Sequence, residues 1–155
     1  LPDHVRERLV SPLMQRALNT SVPAWLARFG ALFVGNRTME AVLKEIIFDH
    51  TLVTAAVLDR SNRNRQREDM ITPLMSLRDS LPLWEQHFAP KLKEIRHPTL
   101  ILWGEQDRLF PPQVGRDLQT TIPQARLIMI PEAGHIPQWE QPQVVNRHIT
   151  EFLQP

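Results

Sequence analysis

Cysteine is absent from the 155 residues. Disulfides and thiolate-bound metals are therefore excluded. An excess of one charge is missing too, since 18 Lys and Arg face 17 Asp and Glu for a formal net charge of +1. That balance offers no concentrated basic surface, so a nucleic-acid partner is not expected. Long apolar runs are also lacking. The longest mostly apolar stretch, Ala24 to Val34, is broken by Arg28, whereas a membrane span needs roughly 20 apolar residues. Glycine is scarce at 5 and proline plentiful at 14, which points to short elements with stiff connections. Nothing at the N-terminus reads as a signal peptide. A chain opening on Leu1-Pro2-Asp3 reads as a processed, excised or truncated product.

What is present fits one soluble domain, with 42% hydrophobic and 23% charged residues and enough length for a core. The pattern divides near Ile95. Before it, helical periodicity prevails and no strand is evident. His4 to Asn19 carries Val5, Leu9, Leu13 and Leu18 at near-helical spacing, with Pro12 inside it to kink or split the helix. Pro23 to Val34 starts on a proline whose missing N–H costs nothing there. Thr38 to Arg60 holds Met39, Val42, Ile46, Val53 and Val57 on one face, which predicts one long helix. A further helix is expected over Arg63 to Ser80, interrupted at Pro73, and a short amphipathic piece over Leu83 to Leu92. These segments should pack as a small helical layer.

After Ile95 the grammar changes. Thr99 to Trp103 is a continuous apolar run between Pro98 and Gly104, as expected of a parallel strand buried on both faces. Pro111-Pro112 opens a helix with Val114, Leu118 and Ile122 inward, and Pro123 ends it. Arg126 to Ile130 is a second strand, closed by Pro131. The last helix runs from Pro142 to about Leu153, with Val145, Ile149 and Phe152 on its buried face. Strand, helix, strand, helix with short links is the pattern of a parallel sheet. Two strands alone make a poor sheet, so further strands are expected from another chain or from a larger fold.

The run from His97 through Gly104-Glu105-Gln106-Asp107 to Pro111-Pro112, and later Gly134-His135-Ile136-Pro137-Gln138-Trp139-Glu140-Gln141-Pro142, resemble the α/β-hydrolase segments that hold the triad acid and the triad histidine. Every fixed position of the family's Gly-His-x-Pro-x-x-Glu-x-Pro pattern is matched. The resemblance is strong over residues 97–153 and only positional over 1–94. It implies a C-terminal part of an α/β-hydrolase core over residues 96–155, preceded by a helical cap or lid over 1–95. It also implies that Asp107 orients His135 and that His135 serves as general base and then acid. The chemistry requires such a pair, because the imidazole must move a proton while a carboxylate fixes its tautomer. Both residues follow strand ends, where open α/β sheets place their sites. Glu105, Asp117 and Glu132 are the competing acids, but Asp117 falls within a helix and Glu105 does not match the motif.

The nucleophile expected of this family sits on a Gly-x-Ser-x-Gly elbow. None of Ser11, Ser21, Ser61, Ser76 and Ser80 has flanking glycines. The nucleophile and the oxyanion hole are therefore expected in an N-terminal half outside this chain. The resemblance implies a hydrolase acting on a carboxylic ester or related acyl bond of a small apolar substrate. An Asp nucleophile, with dehalogenase or epoxide hydrolase chemistry, stays open. Carbon–carbon bond hydrolases share the His-x-x-x-Trp-Glu look of His135 to Glu140 but typically carry Trp directly after the histidine, where this chain has Ile136. A different reading is a non-catalytic module that binds a partner through its open sheet edge. By itself the chain is expected to be inactive, and to associate with the missing half or with another copy as a homo-oligomer or strand-exchanged dimer.

The remaining features take plainer readings. Arg60, Arg63, Arg65 and Arg67 are expected on a solvated face. Trp25, Trp84, Trp103 and Trp139 are read as packing residues, and Met14, Met39, Met70 and Met75 as core or as a flexible pocket wall. His4, His50 and His87 lack ligand spacing, and His148 is read as a surface residue. No metal or cofactor is expected.

Overall fold

The structure, a computed structural model, describes residues 36–65, 76, 79–80 and 82–154. The expected helices over 4–19 and 23–34, and most of that over 63–80, lie outside the described residues.

The expected long helix over Thr38 to Arg60 is divided. Helix α1 spans Asn36–Ile46, a 3-10 turn spans His50–Leu52, and α2 spans Ala55–Arg65. Local and distant groups combine to break it. The Asp49 carboxylate accepts from the Thr51 amide at 2.9 Å and the Thr51 hydroxyl at 2.6 Å. Such side-chain caps compete with continued helix. The Phe48 and Asp49 amides turn instead to a carboxylate remote in sequence, that of Glu140. The amphipathic piece at Leu83 is a π-helical turn over Trp84–Phe88 that passes into a 3-10 segment over Ala89–Glu94. The Trp84 and Phe88 rings pack on each other with centroids 4.7 Å apart, but Leu83, Trp84 and Phe88 stay exposed.

Strand β1 spans Thr99–Gly104 and β2 spans Ala125–Ile130. They pair in parallel, from Thr99 opposite Ala125 to Gly104 opposite Ile130. Helix α3, Pro112–Thr121, links them. A short helix α4, Pro137–Glu140, and the last helix α5, Pro142–Leu153, follow. Sequence periodicity gave no sign of α4, which is a single turn.

The strand alternation decides what each helix covers. The Trp103 ring lies against α3, where a Cβ on Gly115 would come within 3.1 Å of it. Leu102 and Ile128 face the other way, into a cluster with Ile130, Ala133, Val144 and Val145 that joins the sheet to α5. The sheet is thus sandwiched between α3 and α5. Val114 and Ile122 of the α3 region are buried as expected. On α5, Val145 is buried, but Ile149 is 38% exposed and His148 takes an inward place. The buried stripe is centred between Val144 and His148, which leaves Ile149 on its rim.

Burial of both strands on both faces is only partly realised. Most of their residues are half-buried, and full burial is reached at Gly104 and Ile130. Among the described residues the sheet has two strands, so each keeps one edge unpaired.

Candidate active site

Parallel pairing brings the C-terminal ends of β1 and β2 side by side, and the two loops that leave them are laced together. The Glu105 amide donates to the Ile130 carbonyl at 3.0 Å and the Gln106 amide to the Ala133 carbonyl at 2.9 Å. The Gln106 side-chain oxygen accepts from the Ala133 amide at 3.0 Å. The approach is close enough to demand glycine, because a Cβ on Gly104 would lie 2.0 Å from the Gly134 carbonyl oxygen. Neither glycine is needed for a left-handed backbone. Among the described residues the one positive φ at a non-glycine is Glu132, at 53°, and no glycine has one.

This lacing sets Asp107 against His135. The Asp107 Oδ2 atom lies 3.0 Å from His135 Nδ1. Its Oδ1 accepts from the Leu109 amide at 2.8 Å and the Phe110 amide at 2.9 Å. The carboxylate is buried, while the imidazole is about one-third exposed, its side chain at 33% against 4% for Asp107. A carboxylate only accepts hydrogen bonds, so Nδ1 carries a proton, and in the neutral imidazole Nε2 then presents the lone pair. No described residue bonds Nε2. The Phe110 ring covers one side of the imidazole, with centroids 5.5 Å apart. Trp103 steadies that aromatic wall by donating its Nε1–H to the Phe110 carbonyl at 3.1 Å.

The competing acids do not reach the imidazole. Glu105 is exposed beyond the strand end. Asp117 lies on α3 and accepts from the Gln113 side chain at 2.9 Å. Glu132 offers its backbone carbonyl to Gln141. The described serines are elsewhere engaged or remote in the chain. Ser80 donates to the Ser76 carbonyl, Ser61 lies within α2, and none of the three bonds His135. Ser11 and Ser21 lie outside the described residues.

One participant was visible in the sequence only as a motif letter. The Glu140 carboxylate accepts from the Gly134 amide through Oε1 at 2.8 Å. Its Oε2 accepts from the Phe48 amide at 2.6 Å and the Asp49 amide at 3.1 Å. The Ile46 carbonyl in turn accepts the His135 amide at 2.7 Å. The end of α1 is therefore bonded directly to the histidine loop. A heptad or strand pattern cannot show a carboxylate that serves backbone amides some ninety positions away.

Elsewhere, no group of three or more His, Asp or Glu among the described residues could hold a metal ion. No helix among them is long and apolar enough to cross a membrane. Arg60 and Arg63 are exposed on α2, and Arg63 pairs with Asp59. His50 offers Nε2 to the Lys44 carbonyl at 2.8 Å.

Residues 10–142 match the family model described as alpha/beta hydrolase fold. A 2-hydroxy-6-oxononadienedioate/2-hydroxy-6-oxononatrienedioate hydrolase of Comamonas testosteroni is 32% identical over 117 residues, which are 75% of this chain and 41% of that protein. A 2-hydroxy-6-oxo-6-phenylhexa-2,4-dienoate hydrolase of Burkholderia cepacia is likewise 32% identical over 75% of this chain and 41% of that protein. Among solved structures, a meta-cleavage product hydrolase is similar with a TM-score of 0.63 at 22% identity, over 86% of this chain and 51% of that one. A thermophilic esterase from Thermogutta terrifontis is similar with a TM-score of 0.53 at 26% identity, over 86% of this chain and 51% of that one. The chain thus spans about two fifths of these curated relatives and half of these structures.

Proposed function

Since the chain belongs to the α/β-hydrolase fold family, we propose that it carries the acid–base part of a hydrolase that attacks a carbonyl carbon. His135 takes the proton of the nucleophile through Nε2 and returns it to the leaving group. Asp107 holds the tautomer and stabilises the imidazolium that forms. The observation that carries this reading is the 3.0 Å contact between a buried carboxylate and a partly exposed imidazole whose Nε2 is left open among the described residues. The nucleophile, a serine of the Gly-x-Ser-x-Gly kind, comes from outside the described residues.

Two substrate classes compete. The relatives named for 2-hydroxy-6-oxo acids favour the first. Such molecules carry ketones and carboxylates but no ester, so their hydrolysis at the 6-oxo carbon breaks a carbon–carbon bond. Ile136 and the esterase neighbour favour the second, an apolar carboxylic ester. In either case residues 1–95 form a helical cap that closes over the substrate and limits water, while residues 96–155 belong to the core. The open edges of β1 and β2 are covered by further strands of the same fold or by another copy of the chain.

The test compares this chain with a longer polypeptide that adds a preceding strand–nucleophile–helix unit. The chain alone should show no turnover of a p-nitrophenyl ester or of a 2-hydroxy-6-oxo-dienoate and no labelling by a serine-reactive phosphonate. Light scattering should give it a mass above that of one chain. The longer polypeptide should turn over one of the two substrates, and His135→Gln should abolish that turnover. Activity that survives His135→Gln would overturn the assignment.

A further inference from the structure

We infer that Glu140 is a positioning residue for His135, and that it makes the placement of the imidazole depend on the docked end of α1. The inference rests on the reading of His135 as the base. Glu140 touches neither the imidazole nor Asp107, so it acts through the backbone.

The geometry is that of a clasp. One carboxylate oxygen holds the amide immediately before His135, that of Gly134. The other holds the amides of Phe48 and Asp49. The His135 amide closes the clasp from the opposite side by donating to Ile46. Two consecutive amides of the histidine loop are thus fixed by groups outside that loop. The loop between Ile130 and Pro137 has no regular secondary structure of its own to fix them. Gly134 is buried where the three segments meet. A Cβ there would lie 2.5 Å from the Ile46 carbonyl oxygen, 2.9 Å from the Phe48 amide nitrogen and 3.2 Å from Glu140 Oε1. A bulkier loop residue could not substitute for the clasp by packing.

The base of the clasp is a short helical turn. Glu140 ends a helical turn that starts on Pro137, and its own amide donates to the Ile136 carbonyl at 3.1 Å. A carboxylate suits the task because it accepts at both ends, and bonds to an ionised acceptor are about twice as strong as neutral ones. Gln in its place would turn a donor toward one set of amides. The break in the helix between Ile46 and His50 gains a purpose on this view. It frees the amides that an uninterrupted helix would have used internally, and presents them to the core.

The experiment reads the proton on His135 Nδ1 by NMR in the full chain. It is assigned by its disappearance in His135→Gln and compared in wild type, Glu140→Gln and Glu140→Ala. The expected result is a low-field Nδ1 proton in wild type. In both Glu140 variants its exchange with water should be faster by at least roughly tenfold, as loss of a charge-assisted hydrogen bond predicts. Exchange protection of the Val145 amide and of the Trp103 indole N–H should persist, which separates repositioning from unfolding. Phe48→Pro supplies an independent arm, because it deletes one donor to the clasp and leaves Glu140 in place, and it should act in the same direction. Unchanged exchange in the Glu140 variants overturns the inference while the proposed function stands. Absence of the low-field proton in wild type would instead sink the Asp107–His135 pairing itself. Loss of Val145 protection together with the Nδ1 signal in all three variants would make Glu140 a fold residue and also overturn the inference.

Discussion

Phe110 and His135 are tied to the same carboxylate. Asp107 holds the Phe110 amide with one oxygen and faces the imidazole with the other, while the Phe110 ring lies 5.5 Å from the imidazole at a 44° tilt. The wall beside the histidine and the group that orients it are therefore set by one buried side chain. Phe110→Ala keeps the backbone amide and removes the wall. The imidazole should become more exposed and its ring flips faster, with the Asp107 contact retained. Histidine carbon-13 relaxation would check this, and unaltered ring dynamics would refute it.

Asp107→Asn keeps a carbonyl oxygen for the Leu109 and Phe110 amides and turns an NH₂ group toward Nδ1. A donor facing Nδ1 demands the opposite tautomer, with the proton on Nε2. Nitrogen-15 shifts of His135 should report that switch in this chain. In a complete hydrolase the same change should lower kcat/KM by about 10³ to 10⁴, as expected when the base is locked in the wrong tautomer.

Gly104→Ala and Gly134→Ala should both be severe, since each Cβ would meet backbone at 2.5 Å or less. Backbone cannot rotate aside as a side chain can. Each change should cost at least about 3 kcal/mol, the upper end of ordinary overpacking. Gly115→Ala meets the Trp103 ring at 3.1 Å, a contact that a small shift of the indole relieves, so an overpacking cost of roughly 1 kcal/mol is offset by the about 1 kcal/mol that Ala gains over Gly inside a helix, and stability should change little. Urea unfolding midpoints would rank the three. A Gly104→Ala variant as stable as Gly115→Ala would contradict the close approach of the two loops.

The Asp49 carboxyl is held below the usual carboxylate range, first by the Thr51 hydroxyl and then by the Thr51 amide. A depressed folded-state value means that the cap is fully present above the ordinary aspartate value of about 3.9. It is then lost as pH falls through the lower folded value. Thr51 amide protection, taken relative to the intrinsic exchange rate, should fall only in that acid window in wild type, and Asp49→Asn should flatten the dependence. A wild-type amide that opens near neutral pH would contradict the assignment.

Much of the core is legible in the sequence. Thr99 to Trp103 and Arg126 to Ile130 are apolar runs bounded by proline, and proline also marks the starts of α3 and α5. Each of these is a local signal that tertiary contacts had no reason to override. The placement of Asp107 and His135 just beyond the strand ends is legible because a strand end, a glycine and a short loop are all contiguous in sequence. The expected long helix over Thr38 to Arg60 is divided for the converse reason. Its apolar periodicity is sound, but the Phe48 and Asp49 amides find a better acceptor in Glu140. Ile149, expected on the buried face, stays on its rim because periodicity gives a face and not the partner that covers it.

The sequence by itself determined the two strands, the two longer helices that cover them, and the order in which Asp107 and His135 follow the strand ends. Only the tertiary structure decided that the two strand ends are adjacent and that the loops leaving them interlock at Gly104 and Gly134. It also decided that the end of α1 is fastened to the histidine loop through Glu140. The division has one physical cause. Periodicity, proline and glycine act on neighbouring residues through the backbone, whereas a carboxylate and an amide about ninety positions apart meet only when burial of Ile130, Ala133 and Val145 has brought their segments together.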